Sequence, residues 1–197
     1  MMHPDTTVQT INPVIGKGVF ALKDIPRGTI IVARDPFDIV IDEKSFSNLD
    51  PVLKNCMETY MYRDKNKNFV LSWDHAKYMN HSCCSNTMMT DYDLEITVRD
   101  IKAGEEITTE YGLLNIVESY EICCGCKNCR KVLKTDDIET YWSLWDQSIK
   151  QSLLMTDRVL QPLWGVLDKR SRKRIEELIK NPELYSSVKK LSLTGKD

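Results

Sequence analysis

No apolar run in the 197-residue chain approaches the roughly 18 residues that a membrane-spanning helix needs. The opening stretch, MMHPDTTVQTINP, lacks the apolar core of a secretory leader. Charge of one sign is also missing. The 27 Lys and Arg stand against 29 Asp and Glu, for a net charge of −2, so there is no global attraction to nucleic acid or to an anionic membrane. Repeats and low-complexity tracts are absent, which sets repeat architectures aside. What is left is a globular chain with ordinary apolar (42%) and charged (28%) content, long enough for one domain plus an appendage. The expected compartment is intracellular, cytoplasmic first, with the nucleus as the alternative.

Cysteine is the residue in unusual supply. Seven cysteines without a secretory leader point to a reducing compartment, where thiols serve metals or chemistry more often than disulfides. Cys56 stands alone, and the others fall in NHSCCSN (residues 80–86) and CCGCKNC (residues 123–129). Cys124, Cys126 and Cys129 form C-x-C-x-x-C, with Cys123 as a spare. A tetrahedral zinc site takes four Cys or His ligands, usually from two clusters, and NHSCCSN offers the fourth. Such a closed set of thiolates is structural. Free thiols and a redox pair are the competing readings of the same residues. His81 and Cys83 as base and nucleophile are a further one, disfavoured because residues this close in sequence rarely point at each other productively and no orienting Asp or Asn stands at a known spacing.

Residues 14–41 read as short strands between turns: GVFAL and TIIVA, split by Pro26 and Gly28, and then FDIVI. Asp50-Pro51 is a helix start, with Leu49, Val52, Leu53, Cys56, Met57 and Tyr60 at helical spacing. KNKN is a turn into FVLSW, LEITVRD alternates like a half-buried strand, and AGEEITTEYG runs from a Gly turn into another strand. After the cysteines the pattern turns helical. Asp136 and Glu139 form a candidate capping box, followed by a stripe of Ile138, Trp142, Trp145, Ile149 and Leu153. Val159, Leu160, Leu163, Trp164 and Leu167 make a second stripe, disturbed by Pro162 and Gly165. Ser171 is a candidate cap for a third helix ending at Asn181-Pro182, and Leu184, Val188 and Leu191 suggest a last short one. The exposure of Trp142, Trp145 and Trp164 would be unfavourable by roughly 2 kcal/mol each, so this tail is expected to pack on the core.

GKGVFA (residues 16–21) fits the dinucleotide-binding G-x-G-x-x-A, but Pro26 and Gly28 come too soon for the helix that motif requires. Gly16 and Gly18 let the backbone approach either a ligand or a tight turn. KRSRKR (residues 169–174) reads as a solvated helix start, with a nuclear signal or nucleic-acid contact as the alternative.

Taken in order, GKGVFA, NHSCCSN and EEITTEYG with C-x-C-x-x-C close behind resemble a SET-domain protein-lysine methyltransferase, from about residue 12 to residue 130. The cysteine spacing is most similar to the post-SET segment of the SET-and-MYND subgroup, without the MYND finger. The resemblance implies a mainly β fold with some α: small curved β-sheets around a pseudoknot in a SET domain (residues 12–119), a post-SET zinc segment (120–135) and a helical C-terminal extension (136–197). It implies that Gly16, Lys17, Gly18, Phe20, Asn80, His81 and Tyr111 bind S-adenosyl-L-methionine. Tyr111 is the implied catalytic tyrosine, and Cys83, Cys124, Cys126 and Cys129 hold one structural zinc. Cys84 and Cys123 are then spare or packing thiols. The implied activity is methyl transfer to the lysine ε-amine of a protein or peptide partner, with cofactor and substrate entering from opposite faces and no membrane or nucleic-acid partner. Three stretches depart from the family pattern. Thr109 stands where Phe or Tyr usually limits the number of methyls, Ser85 replaces a Pro, and Lys77-Tyr78 replaces Arg-Phe. A tailoring N-methyltransferase acting on a small amine or biosynthetic peptide, and a non-catalytic SET binding module, are the alternatives.

Overall fold

Pro26 and Gly28 break the chain between two strands as the sequence suggests. Gly28 has φ +88°, and a Cβ there would meet Met155 Cβ at 2.8 Å, so both the turn and a neighbouring segment require glycine. The computed structural model describes residues 1–193. In chain order its strands are β1 (Thr6–Asn12), β2 (Gly16–Ala21), β3 (Ile30–Ala33), β4 (Ile39–Ile41), β5 (Met61–Arg63), β6 (Phe69–Leu71), β7 (Asn80–His81), β8 (Thr87–Met89), β9 (Leu94–Thr97), β10 (Glu106–Thr109), β11 (Tyr120–Glu121) and β12 (Val132–Leu133). The helices are α1 (Glu43–Ser47), α2 (Pro51–Glu58), α3 (Asp137–Leu153) and α4 (Lys169–Lys180).

The strands form three small sheets, ordered β1-β2-β10-β7, β3-β9-β8 and β4-β6-β5, and a β11-β12 hairpin. Within the first sheet β10 pairs with β7 in parallel, Thr108 opposite Asn80 and Thr109 opposite His81. Asn86 extends this join. Its amide donates to the Glu106 carbonyl at 2.8 Å and accepts from the Thr108 N–H at 2.8 Å, so a side chain replaces a strand edge. This pins both ends of the 80–86 segment against β10.

Two apolar clusters hold the sheets. Val19, Ile25, Ile31, Met79, Ile101 and Ile107 pack as one. The other joins Ile30, Leu94 and Ile96 of the sheets to Ile138, Trp145, Ile149 and Leu153 of α3 and to Ile175 and Leu178 of α4. The C-terminal helices therefore share their core with the strands. Gly112 permits the contact: a Cβ there would meet Trp145 Cη2 at 2.8 Å and Asp137 Cβ at 3.1 Å.

Several sequence expectations are corrected. Asp136 makes no capping hydrogen bond, because its φ −103°, ψ 15° backbone is not the extended one a cap uses; Glu139 faces Lys189 instead, at 3.7 Å. The stripe from Val159 to Leu167 forms turns, since Pro162 cannot continue a helix. Gln161 ties that segment down, donating to the Gly28 carbonyl at 2.7 Å and accepting from the Ile30 N–H at 2.9 Å. Helix α4 is capped by Asp168, which receives the Ser171 hydroxyl, so it begins two residues before Ser171. Helix α2 forms with Asp50 as cap, but none of its residues is buried. LEITVRD is buried on both faces across β9, not half-buried. Strand β1 and the β11-β12 hairpin were not expected: β1 lies ahead of the first turn signal, and two-residue strands have no period to read. Among the described residues no helix is long and apolar enough to cross a membrane.

Candidate active site

Successive side chains of a strand face opposite ways, and β10 uses this to line two cavities. Thr108 lines a cavity of 570 Å³ together with Ile11, Asn80, His81, Glu106 and Cys124. Thr109 lines the other, of 750 Å³, together with Tyr62, Met79, Glu95 and Tyr111. The parallel β10-β7 ladder separates them.

On the smaller side, the Asn80 amide donates to the Lys17 carbonyl at 3.0 Å and to Glu106 Oε1 at 2.8 Å. Gly18 leaves the space for this. A Cβ there would lie 2.6 Å from Ile11 Cδ1, 2.7 Å from Glu106 Oε1 and 3.1 Å from Asn80 Nδ2. Gly16 takes φ +82° at the turn into β2. Lys17 offers its carbonyl, while its ammonium lies 4.8 Å from the centre of the Tyr78 ring. Phe20 pairs with Thr7 and Glu106 along the sheet and does not line the cavity.

Tyr111 opens a 3-10 turn, Tyr111–Leu113, capped by the Glu110 carboxylate, which accepts from the Gly112 N–H. Its hydroxyl donates to the Met79 carbonyl at 2.7 Å. Burial holds the phenol well above its ordinary pKa, so it stays protonated. The Tyr111 N–H donates to His81 Nδ1 at 3.2 Å, which leaves the His81 proton on Nε2, 3.2 Å from Cys83 Sγ. Burial lowers the His81 pKa, and Glu110 at 3.7 Å offsets this only in part, so the ring is neutral.

The His81–Cys83 approach corrects the expectation that residues so close would not face each other: β7 ends at His81, and the following turn folds Cys83 back. The pair still lacks an activated nucleophile, because burial pushes the Cys83 thiol up to about 12. Cys83 instead meets the second cluster. Cys124 Sγ lies 3.5 Å from Cys126 Sγ and also engages Cys83 and Cys129. The donor atoms of His81, Cys83 and Cys124 lie within 4.8 Å of one another. The Arg130 N–H points at Cys83 Sγ at 3.4 Å. Soft sulfur donors gathered from two distant segments, met by N–H groups that stabilise negative sulfur, fit a zinc ion. Cys84 lines the smaller cavity, and Cys123 is exposed beside it.

Two residues that tie the site together escaped the sequence reading. Glu110, wholly buried, receives a bidentate pair from Arg130 at 2.7 and 2.7 Å, and Arg130 also reaches Asp137 at 3.1 Å. The Arg130 guanidinium lies over the Tyr141 and Trp145 rings. One arginine thus ties the cysteine segment to the Tyr111 turn and to the start of α3. Its place directly after the last cysteine was the only available signal.

Comparison with known proteins locates this arrangement. Residues 16–112 match the SET domain family. Two Arabidopsis thaliana relatives, ASHH4 and the histone-lysine N-methyltransferase ASHH3, are each 28% identical, over 147 and 130 residues, covering 68% and 60% of this chain and 41% and 35% of theirs. The Drosophila melanogaster histone-lysine N-methyltransferase trr is 31% identical over 133 residues, 59% of this chain and 5% of its own. The chain spans less than half the length of these curated relatives. A crystal structure of a Plasmodium falciparum protein covers 56% of this chain and 95% of its own, at 20% identity and a TM-score of 0.41. From the turn at Gly16 to the close-packed Gly112, this chain matches the SET domain family and has the SET-domain fold.

Proposed function

We propose that the protein is an S-adenosylmethionine-dependent methyltransferase acting on the ε-amine of a lysine in a protein. The observation that carries this is the pair of cavities on opposite sides of the β10-β7 ladder, with the Tyr111 hydroxyl, on the wall of the larger one, bound to Met79, the residue before Asn80. The donor belongs in the smaller cavity, where Gly18, Asn80, Glu106 and the Lys17 carbonyl form a polar cradle that a Cβ would fill. When bound, it supplies an electrophilic sulfonium methyl. The larger cavity, walled by Met79, Met89 and Leu94 and opening among charged residues, takes the aliphatic lysine stem.

A lysine ammonium, with a pKa of about 10.4, has no lone pair with which to attack. Desolvation in an apolar channel favours its neutral form. Tyr111 keeps its proton and points it at the Met79 carbonyl, so the phenol oxygen presents its lone pairs to an incoming N–H or to polarised C–H groups. Catalysis is then mostly positioning. The small Thr109 leaves that end of the channel wide.

Cys83, Cys124, Cys126 and Cys129 would hold a structural zinc as a post-SET segment, with the spacing of the SET-and-MYND subgroup. His81, with its proton on Nε2, supports the Cys83 thiolate and is not itself a ligand. The relatives' names refer to histone lysines, which makes histones the first acceptors to try. The test is incubation with radiolabelled S-adenosylmethionine and either acid-extracted histones or whole lysate. Labelled protein bands are expected. A labelled small molecule would move the reading to a tailoring N-methyltransferase, and no label at all would leave a binding module.

A further inference from the structure

One titratable group in the larger cavity has no part in the mechanism above. Glu95 is 6% exposed and sits in the middle of the β3-β9-β8 sheet, opposite Val32 on one side and Met89 on the other. All three line the cavity. Among the described residues no Lys, Arg or His forms an ion pair with it. Its nearest polar neighbours are hydroxyls. Thr87 Oγ1 lies 3.2 Å from Glu95 Oε2 but shares its one hydrogen with the Thr108 carbonyl at 3.0 Å, and Thr109 lies close enough to act on the carboxyl. Yet Thr109 Oγ1 is buried and completes no hydrogen bond. Glu95 also faces the Tyr62 and Tyr111 phenols. Beyond Tyr62 the same cavity holds Asp38, Asp93 and the Arg34–Asp64 pair.

A buried, unpaired carboxyl is costly, and an orphaned hydroxyl beside it adds to the cost. The two stand together at the wall of the larger cavity, Thr109 being two residues before Tyr111. That arrangement is complete only when a polar group with N–H bonds enters. We propose that Glu95 accepts the proton that the substrate ammonium must lose, with Thr109 orienting the amine. This rests on the methyltransferase reading above. An N–H bond of the ammonium breaks and an O–H bond forms on Glu95. The electron pair left on nitrogen then makes the N–C bond to the transferred methyl as the S–C bond breaks, its electrons passing to sulfur. Glu95 returns its proton to solvent before the next turnover. Burial raises the carboxyl's pKa above the ordinary range, which brings it closer to the working pH of a general base.

Glu95→Gln keeps the shape and removes the basicity. With histones and labelled S-adenosylmethionine, its turnover should fall roughly 10²-fold, the scale of one lost general base, while donor affinity is unchanged. The wild-type rate should rise with pH as Glu95 ionises. In the Gln variant that limb should vanish, and the rate should follow the amine's own deprotonation. Glu95→Ala should regain rate with added formate, which a merely structural role would not allow. A Gln variant with the wild-type rate and limb overturns the proposal, and if that variant does not fold, formate rescue of Glu95→Ala decides. A second measurement needs no methyl transfer. When n-butylamine is titrated into wild type at a pH where the free carboxyl is ionised, difference infrared spectroscopy should show a protonated-carboxyl band absent from the Ala variant. No such band would overturn the role of Glu95. Unlabelled histones and lysate alongside a clear band would instead count against the methyltransferase reading alone.

Discussion

Tyr111 and Asn80 touch the same backbone from two sides, yet their losses should look different. The Tyr111 hydroxyl holds the Met79 carbonyl and faces the larger cavity. Tyr111→Phe should leave donor affinity within a few-fold and lower turnover by about 10²-fold, the scale of one lost positioning group. Asn80 joins the Lys17 carbonyl to Glu106 at the smaller cavity proposed for the donor, so Asn80→Ala should weaken donor binding directly. Calorimetry and single-turnover rates on both variants separate the two effects. If Tyr111→Phe keeps the full rate, Tyr62 or Tyr78 carries the role. The place of Tyr111 in EEITTEYG made it the proposed catalytic tyrosine, because a resemblance fixes the position of one residue in a short motif, and the structure sets it at the wall of the larger cavity. Its partner, the Met79 carbonyl, was not, because no sequence pattern marks a carbonyl as an acceptor.

At the scale of elements, the cysteine segment acts through its neighbours. Arg130 ties it to Glu110 and Asp137, and Cys83 reaches it from the turn after β7. Purified, reduced protein should carry about one zinc per chain. Cys126→Ser should lose the metal and weaken donor binding, since Cys126 lines the smaller cavity proposed for the donor. His81→Ala should keep the metal, because its Nε2–H supports a thiolate without replacing one. Atomic absorption on both variants checks this. Metal lost from His81→Ala and retained in Cys126→Ser would mean that the ion sits among His81, Cys83 and Cys124. The C-x-C-x-x-C spacing was readable from the chain. The closeness of His81 was not, because it depends on how the turn after β7 folds.

For the whole molecule, the tie between the SET domain and the C-terminal helices is partly electrostatic. Asp91 is 5% exposed and binds Lys65 at 2.6 Å, Arg174 at 2.7 Å and the Ser186 hydroxyl at 2.8 Å. Burial pushes its pKa up, but these three partners outweigh it and hold the carboxyl below its ordinary value. Asp91→Asn should destabilise the protein by about 2 kcal/mol at neutral pH, less than a fully buried pair would lose because Lys65 and Arg174 reach solvent. The folded pKa is depressed, so the contribution is fully present above the unfolded value of about 3.9 and is lost as pH falls through the folded value. Denaturant midpoints of wild type and variant should therefore converge in acid. A gap that persists there would assign the effect to packing.

The sequence by itself determined the turns at Pro26 and Gly28, most of the strands, the start of α2, the stripe of α3 and the ordered motifs of a SET domain. These rest on residues within a few positions of one another, where backbone sterics and side-chain period act locally. Tertiary structure decided which faces were covered. The apolar residues of α2 stayed at the surface, while the alternating β9 was enclosed on both sides by the second cavity wall and α3. It also decided that Gly112 had to make room for Trp145, that Arg130 would clamp Glu110, and that Glu95 would stand unpaired against the channel. Each of these depends on segments distant in the chain meeting at one place, and no local period encodes such a meeting.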